Sequence, residues 1–158
     1  MEFTDKLISE LIKCEKMIVQ APFKELKEER GCLKNNFTLE SLNDKTPFKV
    51  FIRVNSTFKE NFSVGLDFSP RDEKGSYCLI RCNGRHGEHQ LFPHHQFFHV
   101  HIAKAEYINS GIRPEFYIEE TSQYASYEEA LHYFLQRINL NQVEKEKYFP
   151  LPQLGLFD

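Results

Sequence analysis

Apolar residues recur along this chain with two periods, near four at the ends and two through the middle. In residues 4–20, Leu7, Leu11, Ile12 and Ile18 fall at helical spacing behind Thr4, a good N-cap residue, and predict an amphipathic helix. The charged stretch 21–35, with Pro22 and Gly31, predicts a short helix or a loop. From there the period is two. FTLESLN (37–43) predicts a strand, and in PFKVFIRVN the residues Phe48, Val50, Ile52 and Val54 alternate with Lys49, Phe51 and Arg53. In NFSVGLDFS, Phe62, Val64, Leu66 and Phe68 alternate with Ser63, Gly65, Asp67 and Ser69; SYCLIRCN (76–83) and QFFHVHI (96–102) continue the series.

A second helix is predicted at SYEEALHYFLQRINL, where Ser126 and Glu129 form a capping box and Tyr127, Leu131, Phe134, Leu135 and Ile138 form one apolar stripe. Between 103 and 125 the pattern is weak, with one strand suggested at EFYIEE. The expected fold is α+β: an N-terminal helix, an antiparallel sheet of about five strands and a C-terminal helix, with both helices on one face of the sheet. One domain is expected over residues 1–140, followed by a flexible tail, 141–158, in which EKEK reads as a polar spacer and Pro150 and Pro152 block a continuing helix.

Composition narrows the class. The 158 residues suffice for one domain with a buried core, and 41% apolar with 27% charged residues is ordinary for a soluble protein. No apolar run approaches the ~20 residues of a membrane span, so no membrane partner is expected. The first twenty residues interleave charges with apolar positions and lack a small-residue cleavage site, which argues against a signal peptide. Four cysteines without an export signal then read as reduced thiols of a cytoplasmic protein. The net charge of −3 conceals an asymmetry: residues 45–113 carry 10 basic and 6 acidic side chains, a balance of +4, whereas both flanks are acidic. A cationic middle permits contact with a phosphate-bearing partner.

That middle also holds six of the seven histidines, between positions 86 and 101. Side chains two apart on a strand share a face, so His99 and His101 lie together with Phe97, opposite Phe98, Val100 and Ile102. The same rule groups Arg81 and Asn83 with Leu79, and sets Cys78, Ile80 and Cys82 on the reverse, inward side. Arg53 and Asp67, polar alternates of their own strands, are placed to join the patch. Two imidazoles beside guanidiniums suit cleavage or transfer at a phosphate: one imidazole takes a proton, another gives one, and an arginine stabilises phosphoryl charge. Two other readings stand beside it. His-x-His can aim two ligands at one metal, with His86, His94 or His95 as a third, which makes zinc the alternative to no cofactor at all; or these are plain water-facing strand residues. The connector NGRHGEHQLFPHH opens on Asn83-Gly84, a turn signal, and is long for a hairpin, which places His86 and His89 as loop members of the site.

The run CLIRCNGRHGEHQLFPHHQFFHVHIAKAEY, followed by SYEEALHYFLQRINL, resembles a family of small uncharacterised bacterial and phage proteins. Its pattern is a strand ending in Arg-x-x-Asn-Gly, a loop histidine, Pro-His, a strand in which histidines alternate with apolar residues, and a closing helix. The similarity spans roughly residues 4–140 and implies no activity; where that family has Asp between the strand's Arg and Asn, this chain has Cys82, its Arg81–Asn83 spacing is tighter than the family's, and the middle loop departs from the pattern. A more distant similarity, through Arg81, His86, Pro93, His94, His99 and His101, is to TumE-type toxins of toxin–antitoxin loci. That resemblance implies a growth-inhibiting enzyme acting on nucleic acid or nucleotides; together with the strand alternation and the loop it makes His99, His101, Arg81 and His86 the candidate catalytic residues.

The tail adds a partner. Gln153, Leu154, Gly155, Leu156 and Phe157 resemble the Q-L-x-L-F peptide by which bacterial replication and repair proteins dock on the sliding clamp. The resemblance implies partner binding through Gln153, Leu154, Leu156 and Phe157, an extended peptide with apolar anchors. The expectation is a toxin-like or defence-related enzyme tethered to the clamp. The alternatives are a non-catalytic phage or mobile-element protein that occupies the clamp or another host machine, and a metal-dependent hydrolase.

Overall fold

Helix α1 (Asp5–Lys13) starts where the sequence places it: Thr4 Oγ1 accepts the Leu7 N–H at 3.0 Å, and Ile8 and Ile12 are buried. It stops seven residues earlier than the apolar spacing predicts. The β-branched pair Ile18-Val19 instead belongs to strand β1 (Lys16–Gln20), a conformation that suits such side chains better than a helix. The break is tied down by Lys16, fully buried, whose ammonium donates to the carbonyls of Ile12 at 2.7 Å, Cys14 at 2.8 Å and Ile138 at 2.8 Å. Those are carbonyls left over at the ends of two helices, and one side chain satisfies them.

The computed structural model describes residues 2–85, 97–112 and 117–151. Among them are eight strands and four helices, an α+β fold built on one antiparallel sheet. The remaining strands are β2 (Lys27–Glu29), β3 (Cys32–Ser41), β4 (Pro47–Asn55), β5 (Phe62–Phe68), β6 (Tyr77–Asn83), β7 (His99–Ile102) and β8 (Ile118–Glu120). Their order is β1-β3-β4-β5-β6-β7-β8, with β2 pairing on β3. The sheet thus has more strands than the five expected. Stretch 21–35, expected as a short helix or a loop, contributes one of the extra strands: β2 turns through Arg30 and Gly31, both at positive φ (50° and 79°), into β3.

The core lies on the face that carries Val50, Ile52, Val64, Leu66, Ile80 and Val100, all buried. Helix α3 (Tyr127–Arg137) covers this face with Ala130, Leu131, Phe134 and Leu135, and α1 packs on the same side. Each large side chain so buried contributes ~1.5–3 kcal/mol of transfer free energy. The predicted capping box is present, with the Glu129 N–H donating to Ser126 Oγ at 3.1 Å. Two short helices complete the set, α2 (Ala105–Asn109) and α4 (Gln142–Tyr148). The EKEK stretch, expected as a spacer, is therefore helical; Glu144 accepts the Ile18 N–H on the edge strand, and Phe149 packs against Phe37 at 5.3 Å between ring centroids. A capped edge N–H blocks unwanted strand pairing.

Two local features reset the sequence reading near the histidines. Leu66 pairs with Ile80 but Asp67 pairs with Cys78, so Leu79 is an extra residue, a bulge. The bulge turns Cys78 onto the face of Asp67, opposite to the inward placement expected from alternation, and buries Leu79. Asn83-Gly84, expected to turn, continues along β5 instead: Gly84 N–H donates to Phe62 O at 3.0 Å and Arg85 N–H to Glu60 O at 2.8 Å. No helix among the described residues is long and apolar enough to cross a membrane.

Candidate functional site

The sheet face opposite the core is built row by row by the strand register. One row runs Lys34, Arg53, Ser63, Asn83, His99 and Glu120. The next runs Asn36, Phe51, Gly65, Arg81, His101 and Ile118. A third runs Thr38, Lys49, Asp67 and Cys78. His99 stands directly across from Asn83, and His101 across from Arg81, which places three of the four predicted catalytic residues on adjacent positions of β6 and β7.

The two imidazoles touch edge to face, their centroids 4.9 Å apart and their planes at 76°. His99 Nδ1 is 2.7 Å from Phe97 O. A carbonyl can only accept, so Nδ1 carries the hydrogen and a neutral His99 has its lone pair on Nε2. Below the pair, on the core side, the Tyr124 hydroxyl lies 2.8 Å from both Asn83 O and His99 O, stitching β6 to β7 where the histidines begin.

Burial grades across the face. His99 is 0% and His101 4% exposed, Arg81 is half-buried, and Arg53 and Lys49 on β4 are exposed. The alternative of plain water-facing strand residues does not hold for this pair, which is buried beside an open basic slope. Asp67, half-buried, answers to several of these groups at once. Burial raises its pKa above the ordinary 3.8, against a hydrogen bond from Cys78 and the charges of Lys49, Arg53 and Arg81, which lower it. Arg53 and Asp67 therefore share the patch with Arg81, as their alternation suggests.

Residues the sequence reading passed over are Phe51 and Gly65. Phe51 is the lone apolar residue among the polar alternates of β4, and that misfit is the signal that could have found it. Its ring lies across Gly65, where a Cβ would sit 2.2 Å from Phe51 Cζ. Arg53 approaches the same ring, its Cζ 5.8 Å from the centroid. Chemically, the face offers two imidazoles in contact, a guanidinium in register with one of them, and further cations leading up to them.

His86, the fourth predicted catalytic residue, lies outside the described residues, as do His89, Pro93, His94 and His95. The candidate clamp-binding residues Gln153, Leu154, Leu156 and Phe157 lie outside them too. Among the described residues, no three His, Cys, Asp or Glu side chains come together as a metal-binding group. No family model, curated protein or solved structure matches the chain.

Proposed function

We propose that this chain is a small toxin-like or defence-related enzyme acting on nucleic acid or nucleotides, with His99 and His101 as the acid–base pair and Arg81 as the group that balances phosphoryl charge. The observation that supports it is the β6–β7 register, which sets Arg81 across from His101 with the His99 ring in contact. One imidazole accepts the proton of the attacking hydroxyl or water as the new P–O bond forms. Its neighbour, as imidazolium, gives a proton to the departing oxygen as the old P–O bond breaks, and the pair ends with its protons exchanged. Arg81 holds the oxygens on which charge gathers, in a partly desolvated position where such contacts are strong.

The tail peptide, Gln153 to Phe157, supports a tether to the bacterial sliding clamp; a clamp pull-down lost in Leu156→Ala/Phe157→Ala is the outcome that reading requires. For the chemistry, the purified chain is incubated with end-labelled single-stranded RNA, single-stranded DNA and nucleoside triphosphates. Turnover with a bell-shaped pH profile is expected, falling by roughly 10²–10⁴ in His99→Asn or His101→Asn and similarly in Arg81→Gln, with melting monitored in parallel. No turnover on any substrate, or folded variants as active as wild type, would refute the proposal.

A further inference from the structure

On β4, β5 and β6 the face opposite the core carries Lys49, Arg53 and Arg81 against the carboxylate of Asp67. At its two ends the charge is balanced: Lys34 on β3, beside Arg53, is ion-paired with Glu29 at 3.7 Å, and Glu120 on β8 pairs in register with the buried His99. In the middle of those charges stands an aromatic ring that the core does not need. Phe51 points away from the core and its ring lies over Gly65, where any Cβ would displace it. Its row continues through Arg81 to His101.

We propose that Phe51 is a base-stacking platform and that the substrate of this face is single-stranded nucleic acid, its phosphates led by Arg53 and Lys49 to the half-buried Arg81, at the edge of the buried histidine pair. The inference rests on the acid–base reading given above and deepens it to a substrate class. Bases of a single strand present free π-faces to aromatic side chains, whereas those of a duplex are stacked inside it. Cations flanking the ring then neutralise the backbone without reading sequence. Length separates a polymer from a mononucleotide: Phe51 and His101 are three strands apart in one row, ~14 Å at the usual interstrand spacing. Linked nucleotides bridge that span; the reach from one base to its own phosphate does not. Phe97, 47% exposed and two residues before His99, offers a second apolar surface at the far end of that path.

The test is fluorescence anisotropy with labelled oligouridylate and oligothymidylate, the same strands annealed to complements, and an abasic strand with the same phosphates. The wild type is expected to bind the single strands, with duplex and abasic strand weaker by roughly tenfold or more, the scale of stacking. Phe51→Leu, which keeps an apolar cover on Gly65, is expected to fall to the abasic level with its melting temperature and salt slope kept. Arg53→Gln should instead flatten the salt slope. Uridylate against thymidylate tells RNA from DNA. An abasic strand or duplex bound as tightly as the intact single strand, or no single-strand binding at all, overturns the proposal without need of any variant; so does a folded Phe51→Leu that binds like wild type. Base-dependent binding with no turnover would sink the enzyme reading and leave this one standing. Turnover indifferent to Phe51 and to the presence of bases would do the reverse.

Discussion

The Tyr124 hydroxyl lies 2.8 Å from the carbonyl oxygen of His99 and at the same distance from that of Asn83, the residue paired with His99 across β6 and β7. One hydroxyl proton is thus shared by two acceptors at the joint of the strands that carry the site. Burial drives the phenol's pKa far above its ordinary 10.0, so the group stays neutral throughout the working range. Tyr124→Phe keeps the ring in its aromatic cluster with Phe62 and Phe98 and removes only the stitch. A loss of about 1–3 kcal/mol is expected in urea unfolding, because two buried carbonyls lose a partner. If the histidine pair depends on this joint, turnover falls too; a variant as stable as wild type would show the stitch to be idle.

Gly65 and Phe51 are expected to be coupled. A Cβ at position 65 would meet Phe51 Cζ at 2.2 Å and Cε1 at 2.4 Å, so Gly65→Ala must push the ring aside. The expected cost is ~1–3 kcal/mol of stability, together with weakened single-strand binding as the platform moves. Phe51→Ala frees the space, so the double variant should lose less than the two singles combined. A double-mutant cycle measures this; additive losses would mean that the ring and the glycine do not constrain each other.

How far this fold could be read from residues alone varies by element, for physical reasons. Phe48 to Val54 and Phe62 to Phe68 alternate cleanly because one face of each strand is buried, and β4 and β5 match the expected strands closely. The Ser126–Glu129 box marks the start of α3 because it solves a local hydrogen-bonding problem. Short edge strands leave weaker traces: all three residues of β2 are exposed, and Ile18 falls at helical spacing from Leu11 although it lies in β1. Cys78 reads inward until the bulge at Leu79, invisible in a list of residue types, inverts it. Alternation groups Arg81, Asn83, His99 and His101 on one face, but it carries no information on burial. That depends on tertiary neighbours.

Lys16 makes the stability pH-dependent in the alkaline range. Its pKa is lowered from 10.5 to about 8, first by burial, with Cys14 opposing. Near pH 8 the folded chain therefore begins to give up a proton that the unfolded chain holds until 10.5. The unfolded state binds more protons in that window, so stability rises with pH across it, by up to ~1.4 kcal/mol per pH unit. The contribution is complete above the unfolded pKa and lost as pH falls through the folded one. Lys16→Met removes this slope, and at neutral pH it strands the carbonyls of Ile12, Cys14 and Ile138, a loss of roughly 1–3 kcal/mol or more. Denaturant titrations of both proteins across the alkaline range test it. Parallel curves would refute the assignment.

Asp67 carries the opposite sign. Its folded pKa is raised above 3.8, chiefly by burial, so its contribution to stability is full below 3.8 and is lost as pH rises through the folded value. At neutral pH the ionised carboxylate is therefore a burden on the fold, only partly relieved by Lys49, Arg53, Arg81 and the Cys78 hydrogen bond. Asp67→Asn is expected to be more stable than wild type at pH 7, with the advantage shrinking as the pH is lowered toward 3.8. The same change deletes the carboxylate that faces Lys49, Arg53 and Arg81, so single-stranded nucleic acid should bind more tightly and with a steeper salt dependence. A carboxylate kept at a cost to stability, among Lys49, Arg53 and Arg81, is the kind of group expected to temper affinity so that product can leave. Asp67→Asn that binds more tightly but turns over more slowly at saturation would support that role, whereas a variant destabilised at pH 7 would show that the carboxylate is held by its cations rather than burdened by its burial.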